Sequence, residues 1–253
     1  MVLKRLFGQK AVVSPREWRM PDGERAYAIG DIHGRLDLFD RILASIETDD
    51  RQRDAASTHI ILLGDLIDRG PDSRGVVERA MALGEHGGRV HFICGNHEEL
   101  LIRTWEGDKR SAGLFNRVGG KETLLSYGVD ENVYDGAELG EMTRLAAEFV
   151  PEDHISILRS FRDDVQLGDY LFVHAGIRPG YALEEQERSD KRWIRRDFTD
   201  YAGDFGRMVV HGHTIVEEID ERPNRIGIDT GAFASGKLTA VGLEGAERWY
   251  LQT

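Results

Sequence analysis

Cysteine is nearly absent. A single one, Cys94, occurs in 253 residues, so no intrachain disulfide and no thiolate metal cage can form. Any metal must therefore sit on oxygen and imidazole. Proline is scarce too, at 6 residues in a chain that is 40% hydrophobic and 31% charged, a composition that argues against long disordered tracts. No run approaches the roughly 18 apolar residues that span a bilayer. The opening Met1-Val2-Leu3-Lys4-Arg5-Leu6-Phe7 continues into neither an apolar stretch nor a cleavage site. A cytoplasmic location with no membrane partner is expected. Positive charge is in deficit: 33 Lys and Arg against 45 Asp and Glu give a formal net charge of -12. A field of that sign repels polyanions, which excludes a general nucleic-acid binder.

What is present is a series of short apolar runs, each closed by glycine and a polar cluster. Ala26–Ile29, Ile60–Leu63, Val90–Cys94, Tyr170–Val173 and Met208–Val210 read as buried strands. Between the first three, Leu36 to Ile46 and Ser73 to Leu83 repeat apolar residues near helical spacing, so strand–helix–strand units and an α/β fold with a central parallel portion follow. From about 99 to 165 the pattern is mostly helical, less regular over 116–127 around Gly119-Gly120. It reads as an insertion over the strand ends within a single domain, 1–253. After Pro223, the segments Arg225 to Asp229, Lys237 to Leu243 and Arg248 to Leu251 read as short strands with glycine turns.

The chemistry follows the strands. Gly30-Asp31-Ile32-His33-Gly34, Gly64-Asp65-Leu66-Ile67-Asp68-Arg69-Gly70, Gly95-Asn96-His97-Glu98, His174-Ala175-Gly176 and His211-Gly212-His213-Thr214 each place metal-ligating groups after a strand. In open α/β sheets the carboxyl ends of strands converge on one crevice. These loops can therefore gather carboxylate, amide and imidazole around one point. The flanking glycines allow tight turns and close backbone approach to an ion or phosphate. Asp31 and His33 stand two apart, and in an extended segment both project to one side, able to hold one metal together. Nitrogen and oxygen donors in combination suit manganese, iron or zinc better than calcium or magnesium.

With these motifs in this order, the chain resembles the phosphoprotein-phosphatase family of calcineurin-like metallophosphoesterases, in its bacterial and phage branch. The resemblance spans Gly30 to Gly231. It implies a four-layer α-β-β-α sandwich and two divalent metal ions, with manganese expected and iron or zinc as alternatives. It assigns Asp31, His33 and Asp65 to one metal, and Asp65, Asn96, His174 and His213 to the other. His97 takes the place of the general acid with Asp68 orienting it. Arg69, Arg195 and Asn96 contact the phosphoryl group, which a metal-bridging hydroxide attacks. Within the His-x-His element the resemblance favours His213 over His211. Within Lys191 to Arg196, the spacing from Trp193 favours Arg195 over Arg196.

The activity implied is serine/threonine protein phosphatase, with phosphotyrosine also accepted, so the expected partner is a phosphorylated protein or a small phosphomonoester. The runner-up is the symmetrical diadenosine-tetraphosphate hydrolase, which shares fold, metals and the first motif. Asp68, Glu98 and Thr214 depart from that enzyme's pattern. An orienting aspartate also matters most for poor leaving groups such as serine and threonine alkoxides. Cys94 reads as the end of a buried strand. His59, His86, His91 and His154 read as ordinary surface or core histidines, and Glu98 and Asp229-Thr230-Gly231 as supports for the site.

Overall fold

Alternation along the strands decides the layering. In the strand Glu24–Ile29 (β1), Ala26 and Ala28 face one apolar cluster while Tyr27 and Ile29 face another, as the two-residue repeat of a strand buried on both sides requires. A computed structural model describes residues 17–253 apart from His86 and Gly88. The readings made for Met1 to Phe7 and for His86 lie outside the described residues.

After β1 come the helix Leu36–Gln52 (α1), the strand Ser57–Leu62 (β2), the helix Ser73–Gly84 (α2) and the strand Val90–Phe92 (β3), with β1, β2 and β3 parallel. The insertion is helical throughout: Asn96–Trp105 (α3), Lys109–Val118 (α4), Gly120–Ser126 (α5), Glu131–Gly136 (α6), Leu139–Phe149 (α7) and Glu152–Arg159 (α8). The irregular reading of 116–127 is thereby corrected. Gly119, at φ 111, turns the chain from α4 directly into α5, so a break in the sequence pattern is a helix corner.

The second half begins with Asp164–Leu167 (β4) and Tyr170–Val173 (β5). A short 3₁₀ turn at Leu183–Glu185 then leads to the helices Arg188–Trp193 (α9) and Arg196–Thr199 (α10). Met208–His211 (β6), Asp220–Glu221 (β7), Arg225–Gly227 (β8), Ala232–Ser235 (α11), Thr239–Glu244 (β9) and Glu247–Gln252 (β10) complete the chain.

The sheets run β10-β9-β1-β2-β3 and β4-β5-β6-β8-β7. Side chains from both inner faces, among them Ile61, Ile93, Tyr170, Phe172, Val210 and Val241, form one layer between them. The outer face of the first sheet packs under α1, α2 and the insertion. Leu171, Val173 and Val209 on the outer face of the second meet Ile177 and Phe198. This is the expected α-β-β-α sandwich of two mixed sheets with a helical insertion. Phe172 is wholly buried between the sheets, where truncation to alanine costs about 3–5 kcal/mol. A rigid sandwich of this kind fixes where the loops at its strand ends meet.

Candidate metal centre

The loop after β1 is stitched to the loop after β2. Ile32 N and His33 N both donate to Asp65 O (3.1 and 2.9 Å), and Gly34 N donates to Leu66 O (2.8 Å). From the second sheet, Gly212 N donates to His174 O at 2.8 Å, joining the loops after β5 and β6. Among the described residues the non-glycine positions with positive φ are His33 (48), Asp65 (50), Asp68 (73), Arg69 (68) and His213 (62), all in these loops. Each such conformation costs on the order of 1–3 kcal/mol and persists only where the surroundings impose it. His33 is therefore not extended, and the expectation that Asp31 and His33 project together from an extended segment is corrected.

The loops bring together a buried cluster centred on Asp65. His33, Asp65 and His97 present ligating atoms within 4.8 Å of one another, and so do Asp65, His174 and His213. Asp65 Oδ2 lies 3.7 Å from His33 Nε2, 3.7 Å from His97 Nε2 and 3.4 Å from His174 Nε2. Asn96 Oδ1 sits 3.1 Å from His174 Nε2. Asp31 belongs to neither triad; its carboxylate accepts from His213 N (3.2 and 3.0 Å).

The donor set fits divalent ions. His33 Nδ1 and His174 Nδ1 each donate to a carbonyl, Ile67 O and Leu63 O, both at 2.8 Å. That fixes the tautomer and turns the lone pair of Nε2 inward, as metal-ligating histidines require. His33 Nε2, His213 Nε2 and Asp229 Oδ2 are buried with no hydrogen-bond partner among the described residues, a costly condition unless something else occupies them. The carboxylates tell the same story. Burial, then the charges of Asp229 and Asp65, push Asp31 well above the usual carboxylate range. Burial opposes ionisation of Asp65 as well, but His174, His97 and His33 outweigh it and hold Asp65 well below that range. Burial and the charge of His174 drive His213 down to about 3, with Arg195 contributing. Ions would relieve the carboxylate repulsion and occupy the inward nitrogens. These two adjacent triads indicate a dinuclear divalent-metal site.

His97 differs from the other imidazoles of the cluster in its partners, a carboxylate on one nitrogen and a guanidinium on the other. Nδ1 lies 2.5 Å from Asp68 Oδ2, and Arg69 Nη2 lies 3.1 Å from Nε2. Burial lowers the His97 imidazole, yet Asp65 and Asp68 together hold it above its ordinary value. Asp68 is in turn held by residues that sequence reasoning missed. Thr123 Oγ1 donates to Asp68 Oδ1 (2.6 Å), and Asp68 N donates to Ser73 Oγ (3.0 Å) and Thr123 Oγ1 (2.9 Å). Thr123 comes from α5, so the insertion reaches the site. A threonine inside a helical stretch carries no sequence signal for this.

Glu98 is a clamp. Its carboxylate accepts from Asp65 N (2.9 Å), Leu66 N (2.8 Å) and Gly95 N (2.8 Å), tying two ligand-bearing loops together. Gly95 leaves room for it: a Cβ there would stand 2.1 Å from Asp65 Oδ1. Arg195 and Arg196 are both exposed at the start of α10. Cys94 is buried beside the site, and burial pushes its thiol up, away from the reactive thiolate. His211 packs edge-on against Phe198 and its Nδ1 lies 3.0 Å from Gly212 O, outside both triads.

Comparison with known proteins decides the family: the model of calcineurin-like phosphoesterases matches residues 25–222. The chain belongs to the calcineurin-like phosphoesterases. Within that family it is similar to the asymmetrical bis(5'-nucleosyl)-tetraphosphatase PrpE of Anoxybacillus flavithermus, with 27% identity over 234 residues, covering 84% of this chain and 88% of that one. The protein of the same name from Bacillus thuringiensis (strain Al Hakam) is 26% identical over 241 residues, with the same coverage. Among solved structures, one described provisionally as a diadenosine tetraphosphatase superposes with a TM-score of 0.63 at 20% identity, covering 91% of this chain and 94% of its own. A cold-active protein-tyrosine phosphatase of a Shewanella species gives 0.53 at 17% identity, covering 92% and 83%. These likenesses show the shared fold. Family membership and the buried Asp65-centred cluster make this chain a metal-dependent phosphoesterase.

Proposed function

We propose that the protein hydrolyses a dinucleoside polyphosphate, the substrate class of the runner-up in the sequence reading. The observation that carries the chemistry is the pair of triads that share Asp65, one of them including His97, with Arg69 on His97. Support for the substrate comes from the bis(5'-nucleosyl)-tetraphosphatases, similar over most of both chains. Asp68, Glu98 and Thr214 depart from the pattern of the symmetrical hydrolase, and the relatives carry the name of the asymmetrical one. Cleavage into a triphosphate and a monophosphate is accordingly the expected outcome.

In this reading His33, Asp65, His174 and His213, with Asp31 and Asn96, hold two divalent ions of the manganese, iron or zinc type. When bound, such ions supply positive charge for phosphoryl oxygens and a water of lowered pKa. His97 protonates the leaving oxygen, and Asp68 holds its ring. A guanidinium can only donate, so Arg69 at His97 Nε2 makes that nitrogen an acceptor in this arrangement. Arg69 must turn from His97 to fork onto phosphate before Nε2 can carry a proton. Arg195, exposed and near enough for its charge to act on His213, is the second phosphate contact, and Asn96 faces the same oxygens.

A second reading, phosphomonoesterase action on phosphoproteins, is favoured by the short Asp68–His97 contact, because an oriented acid matters most for an alkoxide leaving group. Chelator-treated protein given manganese should be offered diadenosine tetraphosphate beside phosphoserine and phosphotyrosine peptides. Faster dinucleotide cleavage into a triphosphate and a monophosphate is expected. Faster peptide turnover overturns the dinucleotide reading in favour of the second, and a pair of diphosphates assigns the symmetrical reaction.

A further inference from the structure

Next to the site lies a cavity of about 690 Å³, lined among others by Arg35, Asp37, Asp40 and Asp72, that adjoins the metal cluster through two lining side chains, Arg69 and Phe233. The cavity is open to solvent, and its volume is enough to seat a nucleoside against one wall. Phe233 stands between the cavity and the metal ligands. Its ring meets that of His33 edge to face, centroids 5.5 Å apart, and the Arg69 guanidinium lies 4.8 Å over its centroid. The ring is held there deliberately by the fold. Arg35, at the start of α1, donates to Ala232 O (3.0 Å) at the start of α11, the short helix carrying Phe233, while its other nitrogens are taken by Asp37.

Arg69 connects this cavity to the proton donor, since the same side chain touches His97. The cavity thus lies on the side where the leaving group departs. Its chemistry suits an uncharged body rather than more phosphate. With Arg35 neutralised by Asp37, the walls beyond Arg69 carry Asp40 and Asp72. Asp40 engages Arg79 through Oδ1 and Asp72 caps α2 through Oδ1; among the described residues no hydrogen bond reaches the second oxygen of either carboxylate, which can accept from a hydroxyl or amine. An aromatic ring, an arginine at the entrance and carboxylate acceptors behind it are the groups that recognise base, phosphate and ribose in turn.

The geometry points to this cavity as the seat of one nucleoside of the substrate, with Phe233 as the specificity-determining ring against which the base packs. The inference rests on the dinucleotide reading and names where its leaving nucleotide lies. Sequence motifs gave no sign of it, because Phe233 falls after Asp229-Thr230-Gly231 and carries no metal ligand.

The test is calorimetric binding to manganese-loaded protein of α,β-methylene-ADP against methylenediphosphonate, which shares the phosphorus chain and lacks the nucleoside. The nucleotide should bind about tenfold or more tightly, the scale of one base–aromatic contact. Phe233→Leu should reduce that preference to within about threefold, whereas Phe233→Tyr keeps it; methylenediphosphonate affinity should stay level across all three proteins. Equal affinities in the unaltered protein, a preference that survives Phe233→Leu, or loss of methylenediphosphonate binding in Phe233→Leu each overturn the assignment. In the last case the ring supports His33 instead of a base. The substrate reading fails separately: nucleotide preference without dinucleotide turnover removes the substrate and leaves the subsite, and turnover without preference does the reverse.

Discussion

At the scale of single residues, each reactive side chain is held by a second one. His97 has a buried carboxylate on one nitrogen and a guanidinium on the other, so it is a proton carrier set beside the metal ligands. His97→Asn should keep the bound ions and lose on the order of a hundredfold or more in turnover, the scale of general acid catalysis; metal content and kcat measured together check this. Thr123→Val tests the insertion's reach into the site. It removes the donor to Asp68 Oδ1 and leaves a buried carboxylate less satisfied, at about 1–3 kcal/mol of stability. Turnover should fall with KM little changed, and Thr123→Ser should restore it. A drop in KM-linked affinity alone, with kcat intact, contradicts the positioning role. The candidate ligands were legible only together, because each follows a short apolar run closed by glycine and the five motifs stand in one order. Thr123 and Phe233 were not, since their roles arise only when distant segments meet.

At the scale of elements, most strands follow from short apolar runs and the first two helices from periodicity, whereas β4, Asp164–Leu167, and β7, Asp220–Glu221, contain no continuous apolar run. Gly119-Gly120 looked like a loop because glycine marks breaks in general, and only packing shows that the break is a corner between two helices. Glu98, in the first turn of α3, ties that helix to the β2 loop through three backbone N–H groups. Glu98→Gln turns an amide donor towards those donors. A loss of about 1–3 kcal/mol and weaker metal binding are expected, read by thermal unfolding with and without manganese.

On the neighbouring strands β2 and β3, His59 and His91 stack with ring centroids 5.2 Å apart. Burial lowers both below the ordinary histidine value; Arg89 adds to the effect on His59 against Glu24, and the charge of His59 adds to that on His91. The folded chain therefore binds fewer protons than the unfolded chain below about pH 6.5, the unfolded value. The stability they contribute is complete above that pH and is lost as pH falls through the depressed folded values. His91→Phe should flatten the pH dependence of the melting temperature below about pH 6.5; an unchanged slope removes the pair from the acid response.

At the scale of the whole molecule, a chain of formal charge -12 with buried carboxylates at its site can take an anionic substrate only where arginine and bound divalent ions would offset those charges. Among the described residues no helix is long and apolar enough to cross a membrane. The four layers were legible only through the family resemblance, because strand patterns alone do not say how two sheets face each other. Asp65 joins the layers: its loop follows a strand of the first sheet, and His174 and His213 reach it from the second. The most direct test is therefore to count divalent ions per chain, by elemental analysis of manganese-loaded, gel-filtered protein, in the unaltered chain and in Asp65→Asn. The account predicts two ions in the first and loss of both in the second. One ion or none in the unaltered chain, or two retained in Asp65→Asn, contradicts a dinuclear centre bridged by that carboxylate.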